Sequence, residues 1–417
     1  MTARRALLLA AALPLAVCGA PNVTADPAAH MVRIAAKACG MTAADTVEFV
    51  AVAAGSDHAY ESIFETLAGA AEIAAALEAA GIPRGLPPDS RKARFWPCGE
   101  SVEVSFRIAG GPELPLSSVL KDTSPSAGDS PAAGPAVATL GERRSDGSPE
   151  AAANSPFAVF ALYNCPQSLL AVPGSYMQSA VYGRFKPAMT IAGDTPAEII
   201  VKWSGERRVR RYGAVLSQGA DGKILARTFP ADGGKTRPGD GAPAAAEFQA
   251  FLAEMRNEKD KGRDVYLTPG FSRETTLAQA AAIAAVFPVI DGKGVKVNGA
   301  LPGQPFYQSY LPDESWRERK NRPFQPFEIH IAPDGSKKFV FVREDWSGEG
   351  LDPVLLPRET PLAEWSDIPK AVASTGEMAE KMDVAAFFMP GTMQLGAVFD
   401  AMAHLPSGIT TVYVFQE

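Results

Sequence analysis

The sequence predicts an exported α+β / α/β chain of several domains. Small mixed sheets carry helices packed on one face, and two tandem β-α-β-containing repeats fill the C-terminal half. Three observations lead there. Short segments alternate apolar and polar residues, as half-buried strands do. A strand–Pro-Gly–helix–strand unit occurs twice. An apolar run directly follows two arginines at the N-terminus.

That N-terminal segment is read first. Arg4 and Arg5 precede an apolar run over residues 6–17, and 12 residues are too few to cross a bilayer as a helix. Charge, apolar run and small residues in that order are the pattern of an export signal. Cleavage is expected after Ala25, where Val23-Thr24-Ala25 has the small-x-small spacing, giving a signal peptide of residues 1–25. Cys18-Gly19-Ala20 is a rival site, and Leu15-Ala16-Val17-Cys18 resembles a lipobox that would put a lipid on Cys18. The expected location is periplasmic or secreted, with a lipid anchor as the alternative. No transmembrane helix is expected in the mature chain.

The 417 residues suggest two to three domains, and a net charge of −7 argues against nucleic-acid binding. Two basic clusters run against that mean: Arg207, Arg208, Arg210 and Arg211, and residues 317–322. Both read first as solvated faces, and the former as a candidate anionic contact. Beyond the signal, Cys39, Cys98 and Cys165 lack C-x-x-C spacing. No zinc ribbon or dithiol redox site follows, and one disulfide among the three is expected outside the cytoplasm.

The first block spans 28–196. Residues 47–52 alternate, 60–64 form a second strand after the Gly55-Ser56-Asp57 turn, and 70–80 make an Ala-rich helix stopped by Gly81 and Pro83. Residues 102–108 alternate again. The stretch 121–156 is dominated by Ser, Pro, Gly, Ala and charge and reads as a disordered insertion.

The two repeats occupy 197–300 and 301–417. In the first, 199–203, 212–217 and 223–229 are strands and 244–259 is a helix. Asp264 then opens a strand ending at Pro269-Gly270, a helix carries Leu277, Ala280, Ala284 and Phe287, and 294–297 is a strand. In the second, strands 327–331 and 338–342 flank Pro333-Asp334-Gly335, a hairpin signature, and 364–374 is helical. Asp383 then opens a strand ending at Pro390-Gly391, a helix carries Leu395, Val398, Phe399, Met402 and Leu405, and 410–415 closes the chain.

Each repeat's strand-strand-helix-strand-helix-strand order, with the Pro-Asp-Gly hairpin and the Asp383-Val384-Ala385-Ala386-Phe387-Phe388 strand, resembles the periplasmic domain of ExbD/TolR-like proteins. The resemblance implies a small α/β fold and a partner in the cell envelope. It carries no motor role, because residues 6–17 lack the membrane acid of that family. His58-Ala59-Tyr60-Glu61-Ser62-Ile63-Phe64, Ala79-Ala80-Gly81, Trp96-Pro97-Cys98-Gly99 and Leu169-Leu170-Ala171-Val172-Pro173 resemble the YdjY-like family of exported proteins, which brings no catalytic residues.

Catalytic motifs are sparse. His30, His58, His330 and His404 include no H-E-x-x-H pair, so no metal is expected, and no cofactor either. There is no nucleophile elbow or P-loop. Asp291-Gly292-Lys293-Gly294 precedes a strand, which makes it a turn and not a phosphate cradle. The best chemical cluster is His58, Glu61 and Ser62, although on a strand alternation would turn Glu61 away from Tyr60 and Ser62. Asp264 and Asp383 open equivalent strands and are candidate binding residues. The expected function is therefore that of an exported, non-enzymatic binding or scaffold protein. An accessory subunit of a transport complex, or a hydrolase with an inter-domain site, are the alternatives.

Overall fold

A computed structural model describes residues 22–88, 94–123, 136–140, 157–174, 178–230, 246–285, 287, 294–298, 327–345, 354–376, 384–406, 409 and 411–416. Cys18, Asp383, the basic cluster at 317–322 and the Asp291–Lys293 part of the Gly-Lys-Gly turn lie outside them. The architecture is α+β. A barrel comes first, and two five-stranded sheets follow.

The barrel begins with β1 (Val23–Asp26) and β2 (Met31–Ala38), an antiparallel pair. Along β2 every second residue faces inward, so Val32, Ile34, Ala36 and Ala38 enter the core. β3 (Phe49–Val52) and β4 (Ser62–Thr66) lie parallel, and α1 (Ala70–Ala79) buries Ala70, Ile73, Ala74 and Leu77. This helix packs on β1 and β2. β5 (Ser101–Ile108) carries the short partner β6 (Glu113–Pro115), then α2 (Leu116–Val119) and β7 (Leu120–Asp122). β8 (Ala136–Ala138), β9 (Ala158–Ala161) and β10 (Ser168–Ala171) continue the wall. After α3 (Gln178–Val181), β11 (Phe185–Pro187) pairs with β7 in a separate two-stranded sheet.

β12 (Pro196–Trp203) completes the ring by lying between β2 and β5. The hydrogen-bonded order β2-β12-β5-β8-β10-β9-β3-β4 returns to β2 through the β2–β4 pairing, which makes a closed eight-stranded barrel. The expectation of small open sheets did not contain it. Two assignments change as a result. The strand expected at 199–203 as the opening of the first repeat is a barrel strand, with Ile199 beside Ile34 on one side and Phe106 on the other. Part of the expected disordered insertion, residues 136–140, is wholly buried in β8 and its continuation. The Ser/Pro/Gly-rich surroundings hid an apolar Ala-Val-Ala-Thr-Leu run long enough to bridge β5 and β10.

Gly99 is what admits β8. A Cβ at Gly99 would stand 1.8 Å from the Ala138 carbonyl oxygen, and one at Gly85 would stand 2.2 Å from it. Two backbones therefore approach Ala138 at distances no other residue permits.

The first sheet has β13 (Val209–Gln218) and β14 (Ile224–Pro230) as a hairpin, with β15 (Ala246–Glu247) at its edge. α4 (Phe248–Asp260) buries Phe248, Phe251, Leu252 and Met255, spaced as one helix face requires. β16 (Asp264–Phe271) runs parallel to β13 and to β17 (Val295–Val297), with α5 (Leu277–Ala284) between β16 and β17. Thr276 caps α5: its hydroxyl accepts from Gln279 N, and Gln279 Oε1 accepts from Thr276 N.

The second sheet repeats this order with β18 (Phe327–Ile331), β19 (Lys337–Asp345), β20 (Val354–Leu362), α6 (Ile368–Ala373), β21 (Val384–Met389), α7 (Gly396–Met402) and β22 (Thr411–Gln416). Strand order and pairing senses match: β20-β19-β18-β21-β22 against β15-β14-β13-β16-β17. The Pro-Gly pairs are not equivalent, however. Pro390-Gly391 follows β21, whereas Pro269 and Gly270 lie inside β16, opposite Ala214 and Val215. Proline is tolerated there because β17 reaches only Val265–Leu267, which leaves one side of Pro269 unpaired.

The helix-bearing faces of both sheets bury into one apolar core that includes Leu267, Leu277, Ile329, Phe387, Leu395 and Val414. Four backbone hydrogen bonds join the sheets at the loops that start α5 and α7. Leu277 N donates to Met393 O and Leu395 N to Thr275 O, both at 2.9 Å. Ala278 N donates to Gly391 O at 2.8 Å and Gly396 N to Arg273 O at 2.9 Å. Exchanging Leu277 with Leu395 and Ala278 with Gly396 interconverts the bonds, as a local two-fold would.

Two measurements test this layout. Gly99→Ala should destabilise the barrel by about 3 kcal/mol, read as a lowered denaturation midpoint, because the clash is with backbone and cannot relax by rotamer change. Leu277→Ala should cost about 2–5 kcal/mol and speed amide exchange in both sheets, because they share a core. Loss confined to the first sheet would contradict that.

Candidate functional site

Two places gather chemistry-bearing side chains. The first is the expected cluster at His58. Residues 59–61 form a 3-10 turn, not the start of a strand, so the alternation expected there does not apply. The turn brings Glu61 back to His58, whose Nδ1 donates to Glu61 Oε1 at 2.5 Å. His58 Nε2 lies 3.6 Å from the exposed Asp57 carboxylate. The ring stacks on Phe157 at 4.2 Å and meets the edge of Phe49 at 5.7 Å. His58 and Glu61 thus sit together on a small apolar cluster of Phe49, Val52, Ala158, Ala161 and Cys165, outside the barrel core.

Two nucleophile candidates stand near in sequence or cluster, and both are withheld. Ser62 is buried and its Oγ donates to Phe64 O at 2.8 Å. Burial pushes the Cys165 thiol up to about 11. Around them, Glu48 is buried and accepts from Gln178 Nε2 at 2.7 Å. The Tyr60 phenol is raised, chiefly by the Glu61 carboxylate, and Tyr163 is raised by burial with Cys165 and Glu48 adding to it. The arrangement holds an imidazole in one tautomer but offers it no accessible partner to activate among the described residues.

The second place was not foreseen. A cleft of about 530 Å³ opens beside the loops that join the two sheets. Arg273 and Glu274 come from the β16–α5 loop, Lys337 from the start of β19, Trp365 from the turn before α6, Gln394 from the β21–α7 loop and Asp400 from α7. Arg273 Nη2 donates to Asp400 Oδ1 at 2.6 Å, and its guanidinium lies 5.8 Å from the Phe399 ring centre. Lys337 Nζ stands 5.0 Å from the Trp365 ring centre. Among the described residues Lys337 has no carboxylate within 4.0 Å, nor has Glu274 a cation. The cleft therefore presents a cation on an aromatic face and a carboxylate, beside a neutralised Arg–Asp pair. No local signal could have found it, because its residues come from five separate segments.

The remaining candidates lie elsewhere. Asp264 pairs with Lys296 at 3.4 Å, and its expected counterpart Asp383 lies outside the described residues. Arg207 is exposed; Arg208 is held by Glu206 at 2.7 Å, Arg210 by Glu258 at 3.6 Å, and Arg211 donates to Arg84 O at 3.5 Å. These arginines flank a junction between barrel and first sheet. There Glu100 accepts from Arg208 N at 2.9 Å, Tyr266 OH donates to Pro97 O at 2.9 Å, and Asn298 exchanges two hydrogen bonds with the Trp96 backbone. The Trp96-Pro97-Cys98-Gly99 segment is thus a docking strip. Cys39, Cys98 and Cys165 are free thiols, so the expected disulfide is not formed. His30 binds Ala80 O through Nδ1 at 2.9 Å, and His330 pairs with Glu328 at 3.0 Å and stacks on Phe388 at 4.7 Å. His404 lies in the turn after α7.

Among the described residues no three His, Cys, Asp or Glu side chains are grouped to hold a metal, and no helix is long and apolar enough to cross a membrane. No family model matches the chain, and no curated protein matches it.

The thiols give a pH prediction. Burial raises Cys39 and Cys165 from 9.0 to about 11. The folded state thus keeps protons that the unfolded state releases, so this stabilisation is full below pH 9 and is lost as pH rises toward 11. The melting temperature should fall across that window, with a shallower fall in a Cys39→Ala/Cys165→Ala double variant. Iodoacetamide at pH 8 should label the native thiols far more slowly than the denatured ones, followed by mass spectrometry.

Proposed function

We propose that the chain is an exported, non-enzymatic binding or scaffold protein of the cell envelope, and that the cleft between the two sheets is where it takes its partner. The cleft is the observation that carries this reading. It joins a cation on an aromatic face to a carboxylate, each without an ion-pair partner among the described residues, a surface suited to a polar segment bearing both charges. Binding is favoured over hydrolysis because, of the two nucleophile candidates beside the His58–Glu61 pair, the Ser62 hydroxyl is already donated to the backbone and the Cys165 thiol is raised by burial.

A narrower reading has its own support. The two sheets share one strand order, which is consistent with a duplicated unit, and the sequence pattern of each unit resembles the ExbD/TolR-like periplasmic domain. On that reading the chain is an accessory subunit of an envelope transport complex. The barrel part keeps its likeness to YdjY-like proteins as a proposal of kinship only, since fold likeness is a weak warrant for function.

The experiment compares the whole chain with a Lys337→Glu/Glu274→Lys variant, each immobilised and exposed to envelope extract at several salt concentrations. Circular dichroism first establishes equal folding. A partner retained by the native chain and reduced at least about tenfold on the variant, equivalent to about 1.4 kcal/mol, is the expected result. Equal retention removes the cleft from the reading, and no specific retention at any salt counts against binding itself. Co-purification with an ExbB-like membrane protein would single out the transport-complex reading.

A further inference from the structure

We infer that the export signal is cut upstream of Asn22, so that the mature chain keeps Val23–Asp26 as the strand paired to β2 of the barrel. This rests on the export reading and sharpens it to a place in the chain. The small-x-small spacing of Val23-Thr24-Ala25 points to a cut after Ala25, and the fold opposes it.

Val23, Thr24, Ala25 and Asp26 pair in register with Ile34, Arg33, Val32 and Met31. On this side of β2, β4 covers only Ala36, Lys37 and Ala38. Among the described residues, β1 is thus the element that satisfies the outward backbone groups of β2 over Met31–Ile34. Val23 is 2% exposed and belongs to the barrel core, with Ala25 packed against it. α1 lies on β1, so its buried face would lose part of its seat. The strand is also tied at its start: Ala35 N donates to Asn22 O and Asn22 Nδ2 to Leu67 O, both at 2.8 Å. At its end Asp26 Oδ1 accepts from Ala28 N and Ala29 N at 3.0 and 3.1 Å.

A cut after Ala25 removes Val23 from the core and uncovers a sheet edge, and both changes act on the same barrel. It also leaves Asp26, the residue that shapes the β1–β2 turn, as the new amino end. A cut after Ala20, or directly before Cys18, leaves the whole strand in place. Each cut is hydrolysis of one peptide bond, with water supplying the hydroxyl of the leader's new carboxyl end and a hydrogen of the new amine. On the Cys18 route the thiol first displaces the headgroup phosphate of a diacylglycerophospholipid. A thioether to the diacylglyceryl carbon forms, the carbon–oxygen bond breaks, and the thiol proton leaves with the phosphate ester.

The experiment expresses the full chain in a bacterium with an envelope, fractionates it and reads the amino terminus by intact mass and terminal peptide sequencing. A mature start at Pro21, or at a lipid-bearing Cys18, is expected, and the added lipid mass tells the two apart. A start at Asp26 in the envelope fraction overturns the inference while leaving export intact. A chain that stays in the cytoplasm with Met1 overturns the export reading and the inference with it. A second measurement needs no export: chains beginning at Asn22 and at Asp26 are produced directly and melted. The shorter one should melt lower by about 5 °C or more or fail to fold. Equal melting overturns the inference.

Discussion

Closure of the barrel by β12 is the constraint on which the rest depends. Its backbone satisfies β2 on one side and β5 on the other, and Ile199 completes an inward row with Ile34 and Phe106. Without it both neighbours would present open edges, which are templates for pairing with another chain. β12 also returns the chain beside the 96–100 strip at the moment the first open sheet begins. Glu100 can then take the N–H groups of Arg208 and Val209, and the barrel's closing strand leads directly into the junction.

A second constraint acts further along. Neither five-stranded sheet buries its helix-bearing face alone. Each completes the other's core, and the reciprocal hydrogen bonds around Leu277 and Leu395 hold the two in one arrangement. The cleft follows from that geometry. Once the α5 and α7 loops are locked together, the hairpin turn of the second sheet and the turn carrying Trp365 stand across from Arg273 and Asp400. The two sheets match in topology, but the residues at this cleft come mainly from the second, so the likeness of the sheets does not extend to the surface offered for binding.

Most local structure was legible. The helices at α1, α4, α5 and α7 announce themselves by apolar spacing, and the β18–β19 hairpin by Pro333-Asp334-Gly335. Where the reading failed, the missing information was a partner. The alternation at 199–203 marks a strand correctly but is equally compatible with the first open sheet and with a barrel whose other strands lie far away in sequence. Residues 136–140 are apolar yet short, and only β5 and β10 make them a strand. At His58 the composition was right and the geometry wrong, because a 3-10 turn places residues 58 and 61 on one side where a strand would separate them.

The amino-terminal segment shows the same division. By itself the sequence displayed an apolar run after two arginines, two similar α/β patterns in its C-terminal half, and a local grouping of His58 with Glu61. These follow from composition and short-range periodicity, which a linear chain displays openly. Only the tertiary structure decided that Val23–Asp26 is a strand paired to the barrel, that β12 closes the ring, and that Arg273, Lys337, Trp365 and Asp400 share one cleft. Those are contacts between residues far apart in the chain, settled by which edges and faces remain to be covered once every local element has formed.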